Sequence, residues 1–252
     1  MKSKILISFA FILFLAFNIV SIENESISYN DLLKSVELKR KEFSDRYFHT
    51  MDSLEQKLIL KDCRNYLYNE LTTNIFPAWY GTEWHFQGIA KTPQKGEYPF
   101  VEQSKVDTNR IACGYFITRI LKGLGFKIKV YKLAQQPTSL IVKNLAQKEN
   151  IIYFLNNESI PKIKSKIKEK GIYIVGLDCH VGFLVFDGKK YFRFVHSSYY
   201  DPPYCVTSDK LASFNPFAHS NDRVIGKLFD DEMLIKWLKG EKIKIKYPYK
   251  PK

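Results

Sequence analysis

Apolar residues recur at Phe116, Ile117, Ile120, Leu121 and Leu124 within residues 111–125, the spacing of a helix buried along one stripe. Gly123 and Gly125 supply a stop signal at its far end. A looser helical stripe, Leu54, Leu58, Cys63, Leu67 and Leu71, follows a capping box of Ser53 and Gln56, and a more charged helix through Phe43 precedes it. Residues 76–110 break the pattern, with Pro77, Trp79, Gly81, Trp84, Gly88 and Pro93 marking an aromatic loop that leads toward Cys113. Residues 126–133 then predict a strand, and 137–147 and 161–170 predict helical segments, the second strongly basic. Three runs, 171–178, 180–187 and 189–196, predict a meander of strands with a turn at Asp187-Gly188. A last strand over 223–229 and a helix over 230–239, with Met233, Leu234, Trp237 and Leu238 inward, complete an α+β domain spanning 29–252.

The chain has 252 residues, 45% hydrophobic and 15% aromatic, enough for a packed core. Its first residues change the picture. Lys2 and Lys4 precede an apolar run over 5–20 and a polar stretch over 21–28, the layout of a secretory signal peptide occupying 1–22. Cleavage anywhere from Asn18 to Glu25 fits, and an uncleaved anchor is the alternative. The expectation is export to a periplasm or the cell exterior, with no stable membrane insertion once the signal is removed. Losing Lys2 and Lys4 lowers the formal charge of +13 by only two, and such a basic surface suits an anionic polymer. Zinc-finger spacing, a phosphate-cradling glycine loop and an aromatic RNA-binding signature are all missing, so nucleic acid is not an expected partner. The four cysteines, Cys63, Cys113, Cys179 and Cys205, allow three pairings, but a nucleophilic Cys113 has to stay free.

Cys113 falls in the first turn of its helix, among unpaired N–H groups and the positive end of the dipole, where a thiolate is favoured. It can equally be a buried core residue. His180 and His196 lie on neighbouring strands of the meander and face each other if the connecting loop is residues 187–189; a two-residue loop would put them on opposite faces. Facing each other, His180 can serve as the base toward Cys113 while His196 fixes its tautomer. Asp178 shares the His180 face and can help to orient it. Cys179 points to the other face, which argues against one metal ion held by both, and no metal or cofactor is expected. His85 is the titratable group near neutrality in the aromatic loop.

These residues resemble a family. Cys113-Gly114-Tyr115-Phe116 on a helix, then His180-Val181-Gly182-Phe183, then His196-Ser197-Ser198, are similar to the NlpC-like cell-wall cysteine peptidases of the papain-like superfamily. The family's Asp-Cys-Ser-Gly-Phe pattern is partly kept, since Ala112 stands at the aspartate position and the serine slot is absent. The family's upstream aromatic-glycine-proline loop is similar to residues 84–88 with Pro93. The resemblance covers residues 78–200 and leaves 29–75 and 205–252 outside. It implies a papain-like fold, a Cys113–His180–His196 triad, and Trp84, Phe86, Tyr115 and Ser197 beside the substrate. The implied activity is amide hydrolysis in peptidoglycan stem peptides, without a cofactor. A catalytically inactive wall binder and a cysteine-dependent acyltransferase are the alternatives.

Overall fold

A computed structural model describes residues 28–246; the expected signal peptide lies outside them. The helix that opens at Cys113 forms as its stripe dictates. This helix, α4, spans Cys113–Gly123, and Phe116, Ile117, Ile120, Leu121 and Leu124 are all fully buried; each such burial stabilises by roughly 1.5–3 kcal/mol. Its C-terminal end is fixed by Gly125 at φ +90° and by the Trp237 indole, which donates to the Leu124 carbonyl at 2.6 Å. Its N-cap, Ala112, has no side-chain oxygen, so no cap side chain satisfies the first-turn N–H groups.

Before it lie α1 (Tyr29–His49), α2 (Ser53–Glu70), a π turn (Leu71–Ile75) and the short α3 (Phe76–Trp79). The cap of α2 is Asp52, whose carboxylate accepts from the Leu54 N–H at 2.8 Å, rather than the expected Ser53–Gln56 box. Of the expected stripe, Cys63, Leu67 and Leu71 are buried, whereas Leu54 and Leu58 face solvent and Ile59 and Leu60 take the inner face in the first turns. The expected strand over 126–133 is also replaced. Val130–Ala134 is a short helix, α5, because Val130 and Leu133, three apart, are the residues buried there, while 126–129 is extended with a single bridge from Lys127 to Lys242. Next come α6 (Thr138–Leu145), β1 (Ile151–Phe154) and α7 (Ile160–Lys166), which ends four residues short of the expected limit.

The meander is present as β2 (Gly171–Leu177), β3 (Val181–Phe186) and β4 (Phe192–Ser197). With β5 (Val206–Asp209), α8 (Pro216–His219), β6 (Arg223–Lys227) and α9 (Asp231–Lys239) the domain is α+β. Its six-stranded antiparallel sheet has the order β1-β6-β2-β3-β4-β5. One face, with Ile174, Val181, Phe183 and Val195, packs under α4, α6, α9 and the N-terminal helices. The other, with Leu184, Phe194 and Ile225, packs on Ile163 of α7 and Phe217 of α8. α9 buries the four residues expected, Met233, Leu234, Trp237 and Leu238.

α5 locks the start of α4. A Cβ on Gly114 would stand 2.2 Å from the Ala134 carbonyl oxygen, a backbone atom that cannot step aside. Gly114→Ala is therefore expected to destabilise the fold by about 1–3 kcal/mol, read as a lower urea midpoint; an unchanged midpoint would show that α5 yields.

Candidate active site

The β3–β4 connection is longer than expected. Phe186 pairs with Phe192, leaving residues 187–191 as a five-residue loop held by the Asp187 carboxylate, which accepts from the N–H groups of Lys189, Lys190 and Tyr191. The longer loop shifts the register by two, so His180 and His196 are diagonal rather than directly opposed. A shift of two preserves the face. The rings still meet, with His180 Nε2 2.9 Å from His196 Nδ1. Gly182 stands opposite His196, where a Cβ would lie 2.9 Å from His196 Cβ and 2.5 Å from the Phe194 ring. Its missing side chain is the space taken by the Phe194 ring, which stacks on the His196 imidazole.

A residue absent from the sequence expectations completes the line. Asp209, the last residue of β5, places Oδ2 3.0 Å from His196 Nε2. Hydrogen-bond logic then assigns both tautomers. The carboxylate accepts from His196 Nε2–H, so His196 Nδ1 is bare and accepts from His180 Nε2–H. His180 Nδ1 is left with its lone pair, and it is buried with no hydrogen-bond partner. The sequence signal for Asp209 was slight: a strand of four residues beyond the segment that carries the family resemblance. Asp178, the expected orienter, instead accepts from the N–H groups of Asn221 and Asp222.

Burial makes this chain of imidazoles neutral. His180 is 1% exposed and His196 is fully buried; desolvation, and then His196, push the His180 pKa well below the ordinary histidine value. His196 is also lowered by burial, against the pull of Asp209.

Cys113 is the first residue of α4 and is half-buried. In β3, His180 bonds toward β2, since its carbonyl accepts from Leu177 N–H, while Asp187 bonds toward β4. By alternation Val181 N–H points toward β4. There β4 has turned away, its pairing with β3 ending at Phe183–Val195 and Ser198 N–H donating to the Cys205 carbonyl. The Cys113 sulfur lies at the vacated position, where the N–H groups of Val181, Gly114 and Cys113 itself favour its charged form. Burial nevertheless outweighs these donors and pushes the thiol up, so the thiolate expected from the helix terminus is not the resting form. Sulfur and imidazole thus approach the seam between β3 and β4 from its two sides, flanking the His180–Val181 peptide. No hydrogen bond joins them directly among the described residues.

The aromatic loop is fastened to the segment that delivers Cys113. Ile111 N–H donates to the Glu83 carbonyl, Ala112 N–H to Gly88 and Ala90 N–H to Arg110, while the Arg110 guanidinium pairs with Glu83 and Asp107. Trp84, Phe100 and Tyr204 line a cavity of about 400 Å³ with Arg110. Trp84 packs on Tyr199, whose ring lies 5.2 Å from His180. Phe86 is exposed. Tyr115 is buried against Tyr131 and receives a hydrogen bond from Gln135, and the Ser197 hydroxyl donates to the Ile111 carbonyl; their polar atoms serve the fold. His85 is buried, with both ring nitrogens on the backbone of Gln87 and Val101. All four cysteines are free thiols, and among the described residues no group of three or more His, Cys, Asp or Glu is arranged to hold a metal ion. No described helix is long and apolar enough to cross a membrane. Comparison with protein-family models, curated proteins and solved structures found no match.

Because both histidines are held neutral, the unfolded chain binds more protons than the folded one below the ordinary histidine pKa of about 6.5. Stability therefore falls as pH drops through that value. The urea midpoint of the native chain is expected to decline from pH 7 to 5, and His180→Gln should flatten the decline; parallel profiles would show that His180 does not carry it.

Proposed function

We propose that this chain is an exported cysteine amidase or peptidase with a papain-like, NlpC-like arrangement, acting on amide bonds of peptidoglycan stem peptides. The observation that carries the reading is the unpartnered lone pair on His180 Nδ1. Its tautomer is dictated by His196 and Asp209, and it belongs to the residue immediately before the one whose N–H lies beside the Cys113 sulfur.

The resting pair is a neutral thiol and a neutral imidazole. Turning of the sulfur toward Nδ1 as substrate fills the seam lets His180 take the thiol proton while the sulfur attacks the carbonyl carbon. The imidazolium so formed keeps its Nε2–H on His196, and the Asp209 carboxylate stabilises the added charge through the second ring. Once the sulfur has turned away, the N–H groups at the start of α4, which no N-cap side chain satisfies, become donors for the oxyanion. His180 then returns the proton to the leaving amine, and water, activated by the same nitrogen, releases the acyl group. Trp84 and Phe86, with Tyr199 and Tyr204, are the apolar groups on which the peptide would lie.

Cys113→Ala should abolish release of new amines from purified peptidoglycan, read by mass spectrometry of the muropeptides, with the urea midpoint nearly unchanged. Continued cleavage would overturn the assignment, and peptidoglycan binding by a wild-type chain that cleaves nothing would favour a wall binder. Asp209→Asn should lower kcat by about 10²-fold or more with little change in KM, because an amide does not enforce the tautomers. A change confined to KM would place Asp209 in binding instead.

A further inference from the structure

A second site lies at the far end of α4, ~15 Å along the helix axis from Cys113. Residues 126–129 and 242–245 run side by side, bridged at Lys127–Lys242 and by Ile243 N–H donating to the Lys127 carbonyl. Both follow the same alternation. Phe126, Ile128, Ile243 and Ile245 turn toward the core, and Lys127, Lys129, Lys242, Lys244 and Lys246 are exposed. Lys127, Lys129, Lys242 and Lys244, with Lys122 and Lys132, line a groove of about 600 Å³ floored by Phe126, Ile128, Ile243 and Ile245. None of these lysines is in an ion pair among the described residues, so their charge is free to meet an anion. The acid nearest in effect, Glu37, is already held by Arg40.

We propose that this groove binds a linear, base-free polyanion of phosphate or phosphodiester units. Charge complementarity selects an anion. The two-row form selects a chain, since ammonium groups on alternate residues of an extended segment recur every ~6.6 Å along each row. The exposed side chains of the two rows are lysines without aromatic rings for base stacking; Tyr131, at one end, is occupied by Tyr115 and by the Arg119 guanidinium. Nor do the rows present protruding apolar groups for insertion into a bilayer, because their isoleucines lie partly buried in the floor of the groove. The site would tether the protein to an anionic surface while leaving the other end of α4 open.

The test is fluorescence anisotropy with labelled long-chain linear polyphosphate, titrated against the exported form of the chain over a range of salt concentrations. The variant Lys127→Gln, Lys129→Gln, Lys242→Gln, Lys244→Gln should bind about tenfold more weakly or worse at low salt, and its log–log salt slope should be shallower by about 3. The charge-matched control Lys148→Gln, Lys164→Gln, Lys166→Gln, Lys168→Gln should bind like the native chain. An equal loss in the control would reduce the effect to net charge, and no loss in the groove variant would remove the site. Stronger native binding to oligothymidylate or to phosphatidylglycerol vesicles than to polyphosphate would also overturn the proposal. Thermal melting confirms that both variants are folded, and because the readout does not involve cleavage, the result is independent of the hydrolase reading.

Discussion

The line of hydrogen bonds from Asp209 through His196 to His180 is the constraint on which the proposed chemistry rests. A buried imidazole left alone could place its proton on either nitrogen. Here one carboxylate at the end of the line settles both rings, and the consequence is a bare nitrogen at a chosen place. The sheet supplies the geometry, since adjacent antiparallel strands hold side chains of one face within reach of each other. The register shift of two residues moved His180 and His196 apart along the strands without turning either away.

The same region shows how a sheet can make room for a side chain from outside it. β3 and β4 pair closely in the middle and separate beyond Phe183–Val195, which frees one backbone N–H in the plane of the sheet. The Cys113 sulfur lies beside that donor. Burial keeps both thiol and imidazole uncharged at rest, and under the proposed mechanism the gain of separating charge is reserved for the moment when a substrate carbonyl is present to receive it.

Much of this was legible in the chain. The α4 stripe, the strands of the meander and the inner face of α9 follow from spacing alone, because long periodic segments leave few alternatives. What failed, failed for local reasons. Residues 126–133 alternate like a strand, yet packing on Val130 and Leu133 wound their second half into a helix. At α2 an aspartate one position earlier outcompeted Ser53 as the cap, and in the first turns Ile59 and Leu60, rather than Leu54 and Leu58, found the core. Tertiary geometry hid the rest: nothing in a short Val-Thr-Ser-Asp strand announces that its last carboxylate will reach a histidine thirteen residues away in sequence. Likewise the depressed basicity of the imidazoles and the raised thiol pKa depend on how deeply the seam is covered, a quantity that no linear pattern encodes.

Asp209 occupies an exposed position in the architecture despite its role. β5 is an outermost strand of four residues, supported on one side by β4. Its beginning is clasped by the loop at 81–83, where Gly81 N–H donates to the Val206 carbonyl and Val206 N–H to that of Thr82. The end that bears the carboxylate is anchored just beyond it, where the Lys210 carbonyl accepts from the Asn215 amide and Leu211 is buried in the same cluster as Phe217. An edge strand opens at less free-energy cost than the centre of a sheet, so these anchors, remote from either ring, govern how often both imidazoles are released to choose their own protonation.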